Sequence, residues 1–564
     1  MSIIQLKEAN CKSCYKCIRH CPVKSISFED DQARIIPDKC VLCGTCTIVC
    51  PQNAKEIASD VDIIRHFLRD EKTYTVASLA PSYVTAFPDA DFEQVSAALK
   101  RLGFDAVEEV AIGATEVSAQ YAQYCSDNKM QNIITTCCPS VVMLVEQYFP
   151  DQVPMLAPSV SPAVAHARMV KKTRPHAKVV FIGPCISKKH EAAQGEEIDA
   201  VLMLPELRDL LKEQQIDLTQ KDSEATGLEH TVSRWYPVPG GIIRTIPKEQ
   251  RVNYKYIAID GLERCIETLE AIRDRKLSGY FLEMSACAGS CVAGPGLHGF
   301  DVPFLMSNNL VADHVERSDS PKRPQTEGVL CDLSVVRQPR YQHERIPDEK
   351  TIAAILAKLG KTTPESMLNC GACGYNSCRE KAIAVYQGKA NLMMCLPYMR
   401  EHAESLSNVI IETTPNALVM LDEDGCILQY NRAAQEIYEI NENEGVGYPA
   451  MLYLDTSDLS VVKESDQPRM DVRTQTANGK RIVVQSLLPV SKNSFLMVSK
   501  DITEQEEALK QRQQMRDDTV RITQQVIDNQ MRAAQEIASL LGETTGESKA
   551  ALSKLKKMLE QSEG

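Results

Sequence analysis

Cysteine placement constrains this chain more than any other feature. Twenty of its 21 cysteines lie before residue 396, and only Cys426 lies beyond it. The opening Met1-Ser2-Ile3-Ile4-Gln5-Leu6-Lys7 has no basic segment followed by a long apolar core, so no export signal is expected. A cytoplasmic location follows as the expectation. In a long reduced chain, so many thiols point to metal ligation or thiol chemistry rather than disulfides. With 564 residues, 43% hydrophobic and 25% charged, the composition is that of a globular protein of roughly three to five domains. The net charge of −13 argues against a nucleic-acid partner, which needs a basic face. No stretch approaches a run of uncharged apolar residues long enough for a membrane span.

Residues 1–58 hold a tandem repeat. Cys11, Cys14, Cys17 and Cys21-Pro22 are followed by Cys40, Cys43, Cys46 and Cys50-Pro51. Each copy reads Cys-x2-Cys-x2-Cys-x3-Cys-Pro, the bacterial ferredoxin run for [4Fe-4S] clusters. One tight loop brings three thiolates to one cluster, and the cysteine before proline ligates the other. One cluster is thus expected on Cys11, Cys14, Cys17 and Cys50, and a second on Cys40, Cys43, Cys46 and Cys21. Residues 349–402 begin with a predicted helix at 349–359. They then carry Cys370-x2-Cys373-x4-Cys378-x16-Cys395, which resembles a small four-cysteine cluster domain found beside iron–sulfur oxidoreductases. Its glycines let the backbone wrap close to an anionic cluster. Zinc is the competing occupant.

Between these modules, apolar runs at 75–79 and 178–182 read as buried strands, and amphipathic stretches at 92–102 and 203–214 as helices. The alternation predicts an α/β domain with a mostly parallel sheet. Five thiols fall in three separated segments: Thr135-Thr136-Cys137-Cys138-Pro139, Gly183-Pro184-Cys185-Ile186-Ser187-Lys188, and Glu283-Met284-Ser285-Ala286-Cys287-Ala288-Gly289-Ser290-Cys291. Loops that follow strands can converge at one end of a parallel sheet. Four thiolates there would hold a cubane, with one left over. A lysine three residues after a ligand would set a cation beside it.

These three segments resemble the signature motifs of [FeFe]-hydrogenases, and the resemblance runs over residues 1–400. It implies that residues 72–345 form the domain of the H-cluster, a [4Fe-4S] cubane joined to a diiron unit with CO, cyanide and a bridging dithiolate. By the same resemblance Cys138, Cys185, Cys287 and Cys291 are the cubane's ligands, and Cys291 also bridges to the diiron unit. Lys188 pairs with a cyanide, as an anion in a dry pocket requires. Ala80-Pro81-Ser82 lines the pocket, and Cys137 passes protons. Glu191 and Glu116 match acids of the family's proton route. The acid between them is lost, because Gly113 stands there. Gly183 and Ser285 replace two methionines that commonly pack around the diiron unit. Slower catalysis or a shifted potential is the expected consequence.

Residues 404–503 resemble a PAS domain through Thr414-Pro415-Asn416-Ala417, Asp422-Glu423-Asp424-Gly425, Asn431-Arg432-Ala433-Ala434 and Asp501-Ile502-Thr503. Residues 504–564 read as a helical signalling tail. Ile527, Met531, Ala534, Ala538 and Leu541 recur as a short coiled-coil seam, which makes a homodimer a candidate. Gly542 and Gly546 are expected to break this helix before a second one at 547–560. No histidine lies between 403 and 564. This excludes a histidine-ligated haem in the PAS domain and a phospho-accepting histidine in the tail. The polar stretch Arg317 to Glu327 is expected to be a loop. Cys125, Cys265, Cys331 and Cys426 are expected to be packed core thiols. His20 is read as locally satisfied, and His190 as a surface or pocket-side residue.

The reading is a multidomain α/β and α+β protein. It comprises a ferredoxin-like two-cluster domain, a hydrogenase domain, a four-cysteine [4Fe-4S] domain, a PAS domain and a helical tail. The expected function is hydrogen sensing: slow reversible H2 heterolysis, electron transfer through three further [4Fe-4S] clusters, and redox signalling through PAS. Expected partners are H2 and protons, a redox protein such as ferredoxin, and a kinase or phosphatase reached through the PAS domain and tail. The alternatives are a catalytic ferredoxin-linked hydrogenase with a docking PAS domain, a non-enzymatic iron–sulfur assembly protein, and a redox sensor that never meets hydrogen.

Overall fold

The computed structural model describes residues 3–560, except 226, 229–230, 318–325, 342–344, 442–444 and 492. Most of the expected 317–327 loop therefore lies outside the described residues. The chain forms two units, Met1–Met399 and Arg400–Gly564.

In the first unit, β1 (Ile4–Leu6) pairs antiparallel with β4 (Lys55–Ile57), and β2 (Ile26–Glu29) forms a hairpin with β3 (Gln32–Ile35). The two cysteine loops repeat the same backbone. Ser13 and Tyr15 have φ of 51° and 56°, and the equivalent Leu42 and Gly44 have 54° and 76°. Left-handed backbone at non-glycine residues is costly and tends to persist where a loop wraps a functional site.

Two parallel sheets follow. β5 (Thr75–Leu79), β6 (Ala106–Glu109), β8 (Lys178–Gly183) and β9 (Ala200–Met203) form one, in the order β6-β5-β8-β9. β7 (Ile133–Ile134), β10 (Lys255–Asp260) and β11 (Tyr280–Ser285) form the other, in the order β10-β11-β7. The expected helices are present at Phe92–Leu102 and Leu204–Glu213. The single sheet expected from the sequence is thus divided. Strands of the first sheet are apolar on both faces, as covered parallel strands are. Val76, Val179, Phe181 and Val201 belong to one hydrophobic cluster, and Ala77, Leu79, Val180, Ile182 and Leu202 to another. The former cluster also contains Ile133, Ile134, Phe281 and Leu282 of the second sheet. It extends into the ferredoxin-type module through Ile18, Ile26 and Val41, and into the four-cysteine module through Tyr375 and Met394. These modules share one core.

A buried ion pair fixes the edge of the first sheet. Arg234 clasps Glu109 at the end of β6 with two hydrogen bonds of 2.8 and 2.7 Å, and both side chains are essentially unexposed. Arg234 also donates to the carbonyls of Leu228, His314 and Arg317. Burial opposes a charge on Glu109, yet hydrogen bonds from His314 and Arg234 hold its pKa at about 2. This depressed value makes the pair's contribution complete above the ordinary carboxylate range and progressively lost as pH falls toward 2.

In the second unit, β12 (Ala417–Asp422), β13 (Ile427–Tyr430), β14 (Arg469–Gln475), β15 (Ile482–Ser491) and β16 (Ser494–Asp501) form an antiparallel sheet in the order β13-β12-β16-β15-β14. Asn431 secures its first crossover. Its side chain accepts from Leu418 and Ala434 N–H and donates to the carbonyls of Ile411 and Asn416. Cys426 precedes β13 by one residue and bridges to Pro449. The tail differs from expectation: Thr503–Glu560 is one helix of 58 residues, so Gly542 and Gly546 do not break it. A glycine costs a helix about 1 kcal/mol relative to alanine but keeps its N–H donor, and Leu540, Leu541 and Glu543 beside Gly542 are good helix formers. Among the described residues, no helix is long and apolar enough to cross a membrane.

Replacing Glu109 with Ala leaves the buried Arg234 without its carboxylate, and is expected to cost roughly 3–5 kcal/mol. Chemical denaturation monitored by near-UV circular dichroism measures it, and the deficit relative to wild type should shrink as pH is lowered from 5 toward 2.

Candidate active site

The carboxyl ends of β5, β7, β8 and β11 feed one cavity of about 860 Å³. Ala80-Pro81-Ser82 follows β5, Cys137 and Cys138 follow β7, Cys185 and Lys188 follow β8, and Cys287 and Cys291 follow β11; all line this cavity. Cys138 caps the helix Pro139–Tyr148, and the Cys185 thiol lies 3.1 Å from the Ser187 hydroxyl. The loop after β11 makes its turn at Gly289 (φ +88°), where a Cβ would stand 2.9 Å from Ala293 Cβ and from the Phe304 ring.

Burial dominates the electrostatics. It pushes the Cys138 thiol up to about 11 and Cys137 to about 12, and it drives Cys287 and Cys291 well above the ordinary thiol range. Neighbouring thiols add to the rise: Cys185 raises Cys138, and Cys138 and Cys185 raise Cys287 and Cys291. Lys188 is the opposite case. Burial opposes its charge, but Glu191, Cys137 and Cys185 hold its pKa above the usual lysine value. Its ammonium donates to Glu191 Oε2 at 2.5 Å and to Ser161 Oγ at 2.7 Å, and Ser161 donates to the same carboxylate oxygen at 2.8 Å.

Cys14 and Cys50 act electrostatically on Cys17, while Cys21, Cys40 and Cys43 act on Cys46. Cys21, Cys40, Cys43 and Cys46 line a second cavity of about 320 Å³. Leu42 and Cys43 also line the main cavity, and Cys43 lies within electrostatic reach of Cys287. Gly44 permits this approach: a Cβ there would stand 2.6–2.7 Å from Pro295 Cγ and Ile186 Cδ1. Cys370, Cys373, Cys378 and Cys395 line a third cavity, of about 420 Å³.

These donor sets fit clusters. Three of the thiol sets line cavities, and left-handed residues shape the loops that carry them. Among the described residues, no three His, Cys, Asp or Glu side chains close on a single ion.

A model for the C-terminal domain of iron-only hydrogenase large subunits matches residues 73–295. Residues 73–295 are thus similar to the iron-only hydrogenase family. Models for a 4Fe-4S dicluster domain, an Fe–S cluster segment and the PAS fold match residues 10–54, 367–397 and 407–499. Half of the chain (50%) aligns at 24% identity with 60% of "NADP-reducing hydrogenase subunit HndD" of Solidesulfovibrio fructosivorans. A similar share (52%) aligns at 26% identity with 86% of "Periplasmic [Fe] hydrogenase large subunit" of Nitratidesulfovibrio vulgaris. The chain thus covers less than two thirds of the first of these relatives. The apo [FeFe]-hydrogenase HydA1 of Chlamydomonas reinhardtii matches 48% of this chain over 92% of its own, at 16% identity and a TM-score of 0.39.

Several hydrogenase-site positions take unexpected forms. At Gly183, where a methionine is common in the family, the Phe181 ring fills the space, 2.7 Å from where a Cβ would be. Ser285 turns its hydroxyl to Ser290 Oγ at 2.8 Å. At Gly113 a Cβ would lie 2.2 Å from the Pro162 carbonyl oxygen and 2.6 Å from the His166 amide nitrogen. The helix Ala111–Asp127 presses on Pro162–Thr173 there, leaving no space for a side chain or for bridging water. Glu116 is half-buried on that helix, within reach of Cys331, and is not among the cavity's lining residues. Glu191 is brought to the site through Lys188.

Other polar groups crowd Cys137 instead. Glu283 is buried, and its pKa is raised to about 7 by that burial despite backbone N–H donors at residues 240–243. Tyr236 lines the cavity, and its hydroxyl meets Ser118 Oγ at 2.8 Å, which in turn accepts from Thr245 Oγ1 at 2.7 Å. Glu283 heads the third cysteine motif, which is a signal the sequence offered; Tyr236, Ser118 and Thr245 carry none. Cys125 and Cys265 are buried and Cys331 is half-buried. The His20 ring is satisfied by the Lys16 carbonyl, and burial lowers the pKa of His190.

Gly113→Ala is expected to force the two helices apart and lose about 1–3 kcal/mol by overpacking, measured by thermal unfolding. Restoring an acid at this position should therefore destabilise the fold rather than rebuild a relay.

Proposed function

We propose that this chain is a hydrogen-sensing [FeFe]-hydrogenase that carries an H-cluster and three [4Fe-4S] clusters. The observation that carries the reading is the convergence of Cys137, Cys138, Cys185, Cys287, Cys291, Lys188 and Ala80-Pro81-Ser82 on one largely apolar cavity.

Cys138, Cys185, Cys287 and Cys291 would hold the cubane part of the H-cluster. When bound, the diiron part supplies an open metal position for dihydrogen and an amine base for heterolysis. Lys188 is kept charged by Glu191 and aims a charge-assisted donor into the cavity, where it would anchor an anionic cyanide. The apolar walls, Ala80 and Pro81 among them, exclude water and strengthen that contact. Cys137 is held neutral by burial, so its Sγ–H is available to donate or recover a proton. Glu191 and Glu116 were the expected next carriers, and close packing at Gly113 leaves no acid there to link them. A restricted proton path and a Phe181 ring in place of a thioether both favour slow turnover, which suits a sensor better than a high-flux enzyme.

Electrons would leave past Cys43 into the ferredoxin-type module. The PAS domain and the helical tail would pass the redox state to a kinase or phosphatase. Such signalling requires the two redox states to interact differently with that output.

The infrared spectrum of the matured full-length protein under hydrogen tests the core of this reading. Bands of metal-bound CO and cyanide that change on hydrogen addition are expected, and their absence after maturation would overturn it. In Lys188→Met the cyanide bands should shift or vanish. The same variant leaves Glu191 without its cation and is expected to cost about 3 kcal/mol, read from denaturation of the cluster-free chain.

A further inference from the structure

The Cys370–Cys395 module is docked on the ferredoxin-type module at one defined place. Gly374 (φ +92°) lies against the Cys17–Cys21 segment so closely that a Cβ would stand 2.8 Å from Ile18 Cγ2. Arg19 donates to the Ala372 carbonyl at 3.0 Å, and the Phe28 amide donates to the Lys389 carbonyl at 2.9 Å. Lys24 sits at the centre of the contact. Its ammonium donates to the Gly374 carbonyl at 2.8 Å and to those of Arg19 and Ile18 at 3.1 and 3.3 Å. It lies within electrostatic reach of both the Cys21 and the Cys373 thiols, with Glu380 and Glu263 as further neighbours.

Tyr375 completes the junction. Lys24 Nζ lies 6.0 Å from its ring centroid, and the buried Lys381 lies 5.6 Å from it. Lys381 in turn interacts with Cys373 and Cys395. The ring senses both Cys373 and Cys21, and its buried hydroxyl has no hydrogen-bond partner among the described residues.

We infer that Lys24 and Tyr375 form an electrical junction between the cluster on Cys21, Cys40, Cys43 and Cys46 and the cluster on Cys370, Cys373, Cys378 and Cys395. This deepens the proposed function and rests on its reading that both thiol sets hold clusters. The ferredoxin-type cluster becomes a branch point: its Cys43 side faces the hydrogen site, and its Cys21 side faces the module that leads into the PAS domain. The cluster on Cys11, Cys14, Cys17 and Cys50 is then a separate outlet, not a stage on the way to PAS. Across the junction one electron moves, reoxidising the donor cluster and reducing the acceptor by one. Dihydrogen, yielding two electrons and two protons, is the source in the protein's own reaction. Lys24 acts as a positioning residue: its positive charge stabilises the extra negative charge of either reduced cluster.

The test uses the full chain reconstituted with iron and sulfide but without the diiron unit, titrated with dithionite and followed by electron paramagnetic resonance. Cys378→Ser identifies the accessory signal by its loss, and Cys40→Ser removes the neighbouring cluster. The accessory signal should be broadened in wild type and sharpen in Cys40→Ser. In Lys24→Gln both midpoint potentials should shift downward, and in Lys24→Arg they should return toward wild type. Should Lys24→Gln lose iron, the wild-type broadening alone decides proximity. An accessory signal that is equally sharp with and without the neighbour, or midpoints unmoved in an iron-replete Lys24→Gln, would overturn the junction. If Cys378→Ser loses neither iron nor signal, the accessory cluster itself is absent, and the proposed function fails at that point instead.

Discussion

Removing thiols from water is the constraint on which the rest of this structure depends. The cavity at the strand ends raises its thiols far above their ordinary pKa, so without metal charge it is a site for neutral sulfur. Binding iron must release protons and supply the charge that the walls withhold, which couples cluster occupancy to folding. The same walls that oppose thiolates would magnify any charge placed among them. Lys188 therefore needs Glu191 and Ser161 to remain a cation there, and that pairing fixes where the ammonium points. The site is largely apolar, shaped by close backbone contact, and charged at a chosen point.

Close contact between elements is the means by which this is done. Gly113 lets two helices meet, Gly289 turns a cysteine loop, and Gly44 lets the ferredoxin-type module reach the main cavity. The Glu109–Arg234 clasp holds the edge strand of the first sheet with a fully desolvated pair. Gly44 and Gly289 lie within the cysteine loops themselves, whereas Gly113 and the Glu109–Arg234 pair fix elements that wall the cavity.

Much of the chemistry was legible because metal ligation leaves a local record. Tandem Cys-x2-Cys-x2-Cys-x3-Cys-Pro runs fix loop geometry within a dozen residues, and the second of the three later motifs follows the apolar run at 178–182. Strand and helix positions at 75–79 and 92–102 were readable for the same local reason. What the sequence hid is nonlocal. Arg234 meets Glu109 across 125 positions, and Lys24 meets Gly374 across 350; no spacing announces either. The division into two parallel sheets depends on which apolar faces share a cluster, which a list of strands does not contain. Gly113 looked like a lost acid, and only the Pro162 carbonyl shows that it is a packing requirement. Gly542 and Gly546 looked like breakers because a weak local penalty was weighed without the helix formers beside Gly542.

Leu42 and Cys43 belong to the ferredoxin-type module, yet they also form part of the wall of the main cavity. Wiring and waterproofing are therefore the same few residues. A chain that dispensed with its ferredoxin-type module would lose more than conductance: it would open the reactive chamber to solvent. The wire is here a structural member of the vessel it serves, and neither can be traded away in isolation.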